Sequence, residues 1–134
     1  MSRQYRTNAI IAQTPAADYK ASRGYLVDLA AGTATVSSSA TITAKGVILD
    51  GNQTAAGYAT EKVSVGILGA IAGTVPMRLS GTVAAGAFVV QSTDGTVITD
   101  PGTGARNVVG VAIEGGGTGE NIEVASITPR YFSA

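Results

Sequence analysis

The chain has 134 residues and a formal net charge of zero, nine Lys and Arg against nine Asp and Glu, so it has no net field to attract nucleic acid or an anionic membrane, and we expect neither as a partner. Charged residues make up only 13% of the sequence and apolar residues 45%, whereas an average soluble domain is roughly 25% charged. Because interspersed charges normally keep a small domain soluble, this composition predicts that other protein covers part of the surface.

Residues 1–20 show no strong periodicity, and Pro15 blocks a long helix, so we predict an extended N-terminal arm. Arg3, Tyr5 and Arg6 lie in this arm, and we expect them to contact a partner protein, since two arginines beside a neutral body make a weak phosphate footprint. The opening residues lack the apolar run of a signal peptide, and no stretch approaches the roughly 18 apolar residues of a membrane helix. We therefore expect a protein that does not pass a translocon.

Glycine and β-branched residues dominate the rest of the chain, which is typical of an all-β fold with tight turns. Asp94-Gly95 predicts a type I′ hairpin turn, and Gly32 predicts the same turn earlier in the chain. The predicted strands lie near residues 24–30, 33–37, 42–49, 61–68, 74–80, 87–92, 95–99, 107–114 and 120–127.

The sequence repeats itself. Gly24 superposes on Gly86 at an offset of 62 residues, Gly46 on Gly110 at 64, and the Val63 strand on the Ile122 strand at 59. We interpret residues 21–68 and 83–127 as two pseudo-repeats, each of four strands. Pairing the repeats would remove exposed sheet edges, so the prediction is a small β-barrel or sandwich built from two pseudo-repeated halves, a single domain over residues 21–128.

Two segments are predicted to contact other proteins. Residues 129–134 form a predicted C-terminal tail, and its aromatic residues suggest docking, because chain ends are normally polar and frayed. Residues 108–113, VVGVAI, are apolar on both sides of a strand, which indicates either a central strand or cover of its outer side, as by a neighbouring subunit. The predicted partner contacts in the tail are Arg130, Tyr131 and Phe132, and the predicted subunit-interface residues are Val109, Val111, Ile113 and, in the first repeat, Val47 and Leu49.

No pattern in the sequence indicates catalysis. Without His or Cys, a base would have to be Lys, Tyr or a carboxylate, and no spacing singles one out. Asp50 and Glu114 end equivalent strands and are interpreted as solvated carboxylates. The glycine-rich loop 114–121 leads into a strand and holds no Lys, unlike a phosphate-binding loop. We expect no enzyme activity, no cofactor and no metal.

The C-terminal half resembles the phage capsid cement, or decoration, proteins that carry a DUF2190-type domain. The residues that carry this resemblance are Val83 to Gly86, Asp94-Gly95, Val109 to Glu114, Gly119-Glu120 and Ile122 to Val124. The resemblance implies a β-barrel that forms a homo-oligomer, with a trimer as the expected state, and that binds the major capsid protein. It implies synthesis in the host cytoplasm and a final location on the outer capsid surface of the virion, with the arm and the tail reaching the capsid subunits.

Two other functions stay open at this point. A phage tail or head-to-tail connector subunit would also be neutral, rich in strands and self-assembling. A carbohydrate-binding adhesive module would need exposed aromatic residues, and the chain has no Trp, two Phe and five Tyr.

Overall fold

The computed structural model describes residues 9–50 and 62–133, and within these residues it contains ten strands and no helix. The prediction of an all-β fold is therefore confirmed. The strands are β1 (Ile10–Pro15), β2 (Leu26–Ala30), β3 (Thr33–Val36), β4 (Gly46–Asp50), β5 (Val63–Ile67), β6 (Val75–Arg78), β7 (Phe88–Gln91), β8 (Val97–Thr99), β9 (Arg106–Ala112) and β10 (Asn121–Phe132).

The strands form two five-stranded sheets. The first, in the order β1-β3-β2-β4-β5, closes into a barrel because β1 pairs with β5 on one side and runs parallel to β3 on the other. We call it the first barrel. The second, in the order β6-β10-β9-β7-β8, is curled. The two edges of this second sheet meet at one parallel bridge between Leu79 and Val97, where the Ser80 amide donates to the Val97 carbonyl at 3.0 Å.

The two sheets share one topology, and their registers agree at equivalent positions near the middle of the strands, although the register shifts lie at different places. Leu26 lies opposite Val47 in the first barrel, and Phe88 lies opposite Val111 in the second sheet. Phe88 follows Leu26 by 62 residues and Val111 follows Val47 by 64, so these are the offsets seen in the sequence. Each repeat nevertheless builds its own five-stranded sheet instead of supplying half of one barrel, because β1 and β6 each add a fifth strand.

Part of the predicted N-terminal arm is instead a paired strand, because residues Ile10–Pro15 form β1. Four residues of β1 pair with β5, and Thr14 and Pro15 pair with β3. The alternation of this strand is weak, since Ile10 and Ile11 are adjacent and only part of one side is buried. Pro15 ends the strand, where its missing N–H costs no ladder hydrogen bond.

The predicted C-terminal tail is also a strand. β10 continues to Phe132 and pairs with the start of β9, so that Arg130 lies opposite Val108 and Phe132 opposite Arg106. The register shifts between Ser126 and Arg130. Pro129 lies in this irregularity, which is where a residue without an N–H is tolerated in a sheet.

Two apolar cores hold the fold together. One lies inside the first barrel and is completed by Tyr19, whose hydroxyl accepts a hydrogen bond from the Val36 amide at 3.0 Å. The other lies between the concave side of the second sheet and the outside of the first barrel. Leu26, Val47 and Leu68 of the first repeat join it, together with Val75, Met77, Leu79, Val89, Val109, Ala112, Ile122 and Val124 of the second. The outer surface of the first barrel thus packs against the concave side of the second sheet.

The two hairpins differ in their turns. Ala31 and Gly32 both have positive φ, 51° and 79°, as the type I′ turn predicted for the first copy requires. In the second copy only Gly95 has positive φ, 82°, and the strands are joined by the longer loop 92–96. The Asp94 carboxylate accepts hydrogen bonds from the amide and hydroxyl of Thr96. The prediction of a type I′ turn at Asp94-Gly95 is therefore wrong, because the Asp94 side chain stabilises a wider loop.

Candidate protein-interaction surface

Only some of the predicted partner-contact residues lie in the part of the chain that the structure describes. Arg3, Tyr5 and Arg6 lie outside the described residues. Arg130 and Tyr131 are exposed on β10, and Phe132 beside them is half-buried. These side chains are therefore presented by a paired strand, whose backbone is fixed by β9, and not by a free tail.

Three of the five predicted subunit-interface residues face the interior of their own chain. Val47 and Val109 are fully buried in the core between the two sheets, and Leu49 packs against the same core. The apolar pattern of residues 108–113 indicated that both sides of the strand are covered. One side is covered by the first barrel of the same chain and not by a neighbouring subunit. Val111 and Ile113 lie on the opposite side of the second sheet.

The side of the second sheet that is turned away from the core carries several apolar side chains. Phe88 lies opposite Val111, and the side chains of Phe88 and Ile113 are 53% and 54% exposed. These residues alternate with Val89 and Ala112, which are buried in the core. We call the surface formed by Phe88, Val111, Ile113 and Ile127 the outer face.

A groove of ≈ 230 Å³ runs along one edge of the outer face. Its polar end is an ion pair, in which Arg106 Nε donates to Asp100 Oδ1 at 2.6 Å. Two guanidinium groups approach the Phe132 ring, with Arg106 4.6 Å and Arg130 5.0 Å from the ring centroid. The residues that line the groove are Phe88, Asp100, Val108, Ile127, Arg130 and Phe132. The groove therefore offers an apolar floor with an exposed cation, Arg130, at its border.

Sequence reasoning missed a buried polar network that ties the first barrel to the second sheet. Gln91 is 2% exposed, and its amide donates to the carbonyls of Ser39 and Ile42 at 2.7 and 2.6 Å while its oxygen accepts from the Ala44 amide. Asn107 is fully buried, donates to the Ala40 carbonyl and accepts from the Thr43 hydroxyl. The sequence does carry one signal of this network, a Gln or Asn within an apolar strand, as in FVVQ and RNVVG, because a buried amide needs hydrogen-bond partners.

Asp28 is the one described group whose pKa departs clearly from its ordinary value. Burial raises the pKa of the Asp28 carboxyl above 3.8, and the nearby Lys45 ammonium partly offsets this by lowering it. Asp28 Oδ1 is buried and has no hydrogen-bond partner among the residues that the structure describes. One oxygen of the carboxylate is therefore shielded from water at this position.

The carboxylates singled out in the sequence do not form a metal site in the described ranges. No group of three or more His, Cys, Asp or Glu residues there is arranged to hold a metal ion. Glu114 Oε1 instead accepts the Glu123 amide at 3.0 Å and so supports the start of β10. Among residues 9–50 and 62–133, no helix is long and apolar enough to cross a membrane.

Comparisons with known proteins were made for the whole chain. No protein-family model matches it, and a search of curated proteins also found no match.

Proposed function

We propose that this protein is a structural virion protein, a capsid cement or decoration protein that binds the outer surface of a phage head and stabilises contacts between major capsid subunits. The observation that carries the proposal is the outer face, an apolar surface with two large side chains more than half exposed, on a chain with few charges. Exposed apolar patches of this kind mark protein-binding sites, because leaving them in water is unfavourable.

The resemblance to DUF2190-type cement proteins supports the same function. The residues that carry it all fall in the second repeat, from the segment before β7 to the end of the core-facing part of β10. They include Val111 and Ile113 of the outer face. The resemblance therefore covers most of the second sheet, without β6 and the end of β10.

In this proposal the chain acts as a homo-oligomer, with a trimer as the expected state, and the major capsid protein is its partner. The exposed Arg130 and Tyr131 on the paired end of β10 are suited to contact a capsid subunit, since the strand already fixes their backbone and only the side chains would be ordered on binding. Arg3, Tyr5 and Arg6 are proposed to extend the same contact. A stable interface of this kind buries about 1,600 Å² in total, and many copies on one lattice multiply its effect.

Copy number per particle tests the proposal directly. Quantitative mass spectrometry of purified virions from the phage that encodes the chain would compare its amount with that of the major capsid protein. A ratio near one to one is expected for a protein that decorates the capsid lattice. A handful of copies per particle would refute the cement function and favour a tail or head-to-tail connector subunit, and absence from the particle would favour a separate binding module such as a carbohydrate-binding adhesin.

Binding to heads tests which residues make the contact. Isolated heads that lack the protein would be mixed with the purified chain and sedimented. We expect Arg130→Glu to weaken binding, because the substitution reverses an exposed charge without removing a core side chain. Lys20→Glu is the matched control, since it reverses an exposed cation on another part of the molecule. Equal loss in both variants would contradict a specific contact at Arg130.

A further inference from the structure

The second repeat has a strand extension that the first repeat lacks. Gly66 of β5 and Ala125 of β10 are equivalent, because each lies opposite the same position of its own sheet. β5 ends one residue later, at Ile67, whereas β10 runs on to Phe132. The extra length of β10 supplies three of the residues that line the groove, Ile127, Arg130 and Phe132. The groove is therefore a feature of the second repeat alone.

Irregular strand pairing in the middle of β9 helps to form the groove. Between β7 and β9 the register shifts from Gly110 to Val108, and between β9 and β10 it shifts over the same two residues. Val109, which lies between them, faces the core, while Val108 lines the groove and is paired with Arg130. Bulges of this kind bend a sheet and redirect side chains, and they are common beside functional sites.

One charged group of the groove is available to a ligand. Asp100 Oδ1 already accepts hydrogen bonds from Arg106 Nε at 2.6 Å and from the Gly102 amide at 2.9 Å. Arg130 is exposed and forms no ion pair with a described residue, and its guanidinium carbon lies over the Phe132 ring, 5.0 Å from the centroid. The three charged groups at the groove sum to one positive charge, and Arg130 carries it.

The contact of Arg130 with the Phe132 ring leaves it able to bind an anion. A guanidinium has five N–H donors in one plane, so it can lie over a ring and still donate two parallel hydrogen bonds elsewhere. A carboxylate is the protein anion that matches this fork, because its two oxygens accept both bonds at once. The ring also limits the movement of the guanidinium, which lowers the entropy lost on binding.

The rest of the groove is apolar. Its floor consists of four side chains, those of Phe88, Val108, Ile127 and Phe132. Phe88 is 53% exposed, so a ligand that covers this side chain removes a large apolar area from water. The groove therefore combines an apolar floor with a single uncompensated cation at its border.

The size and composition of the groove indicate a protein ligand. At ≈ 230 Å³ it is smaller than the roughly 300–1,000 Å³ of sites that enclose a small molecule, and it has room for one or two side chains. Aromatic residues and Arg are enriched in protein interfaces. A saccharide would need several polar groups to bond its hydroxyls, whereas Asp100 is already bonded and Arg130 is the one other polar residue in the lining.

We propose that the groove binds a segment of a partner protein in which a large apolar side chain stands next to an Asp or Glu. The apolar side chain packs on the floor against Phe88, and the carboxylate binds the guanidinium of Arg130. Both parts are required, because covering the groove with an uncharged segment would leave a cation partly desolvated and unpaired. That a capsid subunit supplies the segment rests on the proposed function, whereas the chemistry of the segment rests on the groove.

Titration of the isotope-labelled chain with short peptides, followed by its backbone NMR signals, tests the proposal. The probe is the peptide Gly-Ser-Phe-Glu-Ser-Gly, capped at both ends. We expect the signals of Phe88, Ile127 and Phe132 to shift and to saturate with a dissociation constant of about 1 mM, as for one anchor on a flexible segment. Replacing the peptide Glu by Gln should weaken binding about threefold to fivefold, and replacing the peptide Phe by Ala about tenfold.

Variants of the chain separate the two contributions. Arg130→Gln should bind the Glu and Gln peptides equally, because it lacks the cation that distinguishes them. Lys20→Gln is the matched control, since it removes an exposed cation in the first repeat, and it should keep the preference for Glu. Phe88→Ala should bind both peptides more weakly and still prefer Glu. All three side chains are exposed, and circular dichroism confirms that each variant is folded.

Several results would overturn the proposal. These are no saturable shift at the groove, equal binding of the Glu and Gln peptides by the parent chain, or the same loss of preference in Lys20→Gln as in Arg130→Gln. Groove signals that shift when the chain alone is concentrated would instead assign the groove to a second copy, and shifts as strong with glucuronic acid would assign it to a carbohydrate.

The titration and the copy number per virion fail independently. A titration without binding would remove the groove as the contact and leave the cement function to the copy-number measurement. A low copy number together with the expected titration would refute the cement function and keep the ligand class of the groove, with another protein as its source.

Discussion

Leu26 and Phe88 occupy the same position in two sheets of one topology, and yet Leu26 is fully buried and Phe88 is 53% exposed. The difference arises from what covers each position. The second sheet packs against Leu26 on the first barrel, whereas no described residue covers Phe88 in the same way. Equivalent apolar residues are therefore buried in a core on the first repeat and exposed on the second.

The first prediction uses this pair of residues. Leu26→Ala is expected to lower the free energy of unfolding by about 2–5 kcal/mol, because it opens a cavity between the two sheets. Phe88→Ala is expected to cost about 1 kcal/mol or less when the chain is dilute enough to be monomeric. Urea denaturation monitored by circular dichroism measures both values. Equal losses would mean that the two positions are equally packed.

The buried amide of Gln91 gives a second prediction. Gln91→Leu leaves the Ala44 amide and the carbonyls of Ser39 and Ile42 without their partner, and we expect a loss of about 1–3 kcal/mol. The loop of residues 37–45 should also exchange its amide hydrogens faster, which hydrogen-exchange mass spectrometry detects.

Gln13→Leu is the matched control for this experiment, because Gln13 is half-buried and its amide donates to the adjacent Ala12 carbonyl. We expect little change in stability and none in the exchange of residues 37–45. If Gln13→Leu had the same effect as Gln91→Leu, the loss would come from a general weakening of the fold and not from the network.

Asp28 predicts a dependence of stability on pH. Because its pKa is raised in the folded state, the folded chain binds this proton more tightly than the unfolded chain does. The stability gained from the protonated form is fully present below the ordinary value of 3.8 and is lost as pH rises through the higher folded value. Asp28→Asn should therefore be more stable than the parent at neutral pH, and the two should converge in acid.

Denaturation midpoints of the two proteins, measured from about pH 3 to pH 7, test this expectation. Lys45→Met provides a second check. Removing the ammonium that lowers the Asp28 pKa should destabilise the chain at neutral pH when Asp28 is present, and should do so less in the Asp28→Asn background. A difference between parent and Asp28→Asn that does not vary with pH would contradict the assignment.

The two hairpin glycines give a fourth prediction. Gly32→Ala places an alanine at positive φ with nothing within 4 Å of the new Cβ, so we expect a cost of about 1–2 kcal/mol from backbone strain alone. Gly95→Ala adds a steric clash, because the new Cβ would lie 2.6 Å from Val36 Cγ1. The second variant should therefore be the less stable in thermal unfolding, and equal losses would show that Val36 moves aside easily.

The sequence predicted the repeat and most strands because β-branched residues alternate with turn glycines at nearly constant offsets. It did not predict β1, since Ile10 and Ile11 give only a weak alternation and the parallel pairing with β3 joins residues distant in the chain. A short turn in the sequence can indicate an antiparallel pair, but parallel strands are joined by long connections that leave no such local signal.

The exposed surface was predicted only in part. Val109 and Val111 are two residues apart, so regular alternation would place both on the same side of the strand, and it is the register shift between Gly110 and Val108 that turns Val109 into the core while Val111 faces the opposite side. The network around Gln91 was missed for the same reason, because its partners lie 47 to 52 residues earlier in the chain. Long-range contacts of this kind leave no periodic signal in the sequence.

Each sheet is built from consecutive strands, so the polypeptide passes only once from the first barrel to the second sheet, between Ile67 and Val75. Cleavage within that single crossing would leave two fragments, each with a full set of five strands, joined by the apolar contact around Leu26 and by the amides of Gln91 and Asn107. The protein can in this sense be regarded as a heterodimer with a covalent tether. The affinity of its two halves is then a measurable equilibrium constant, obtained by mixing the separate fragments.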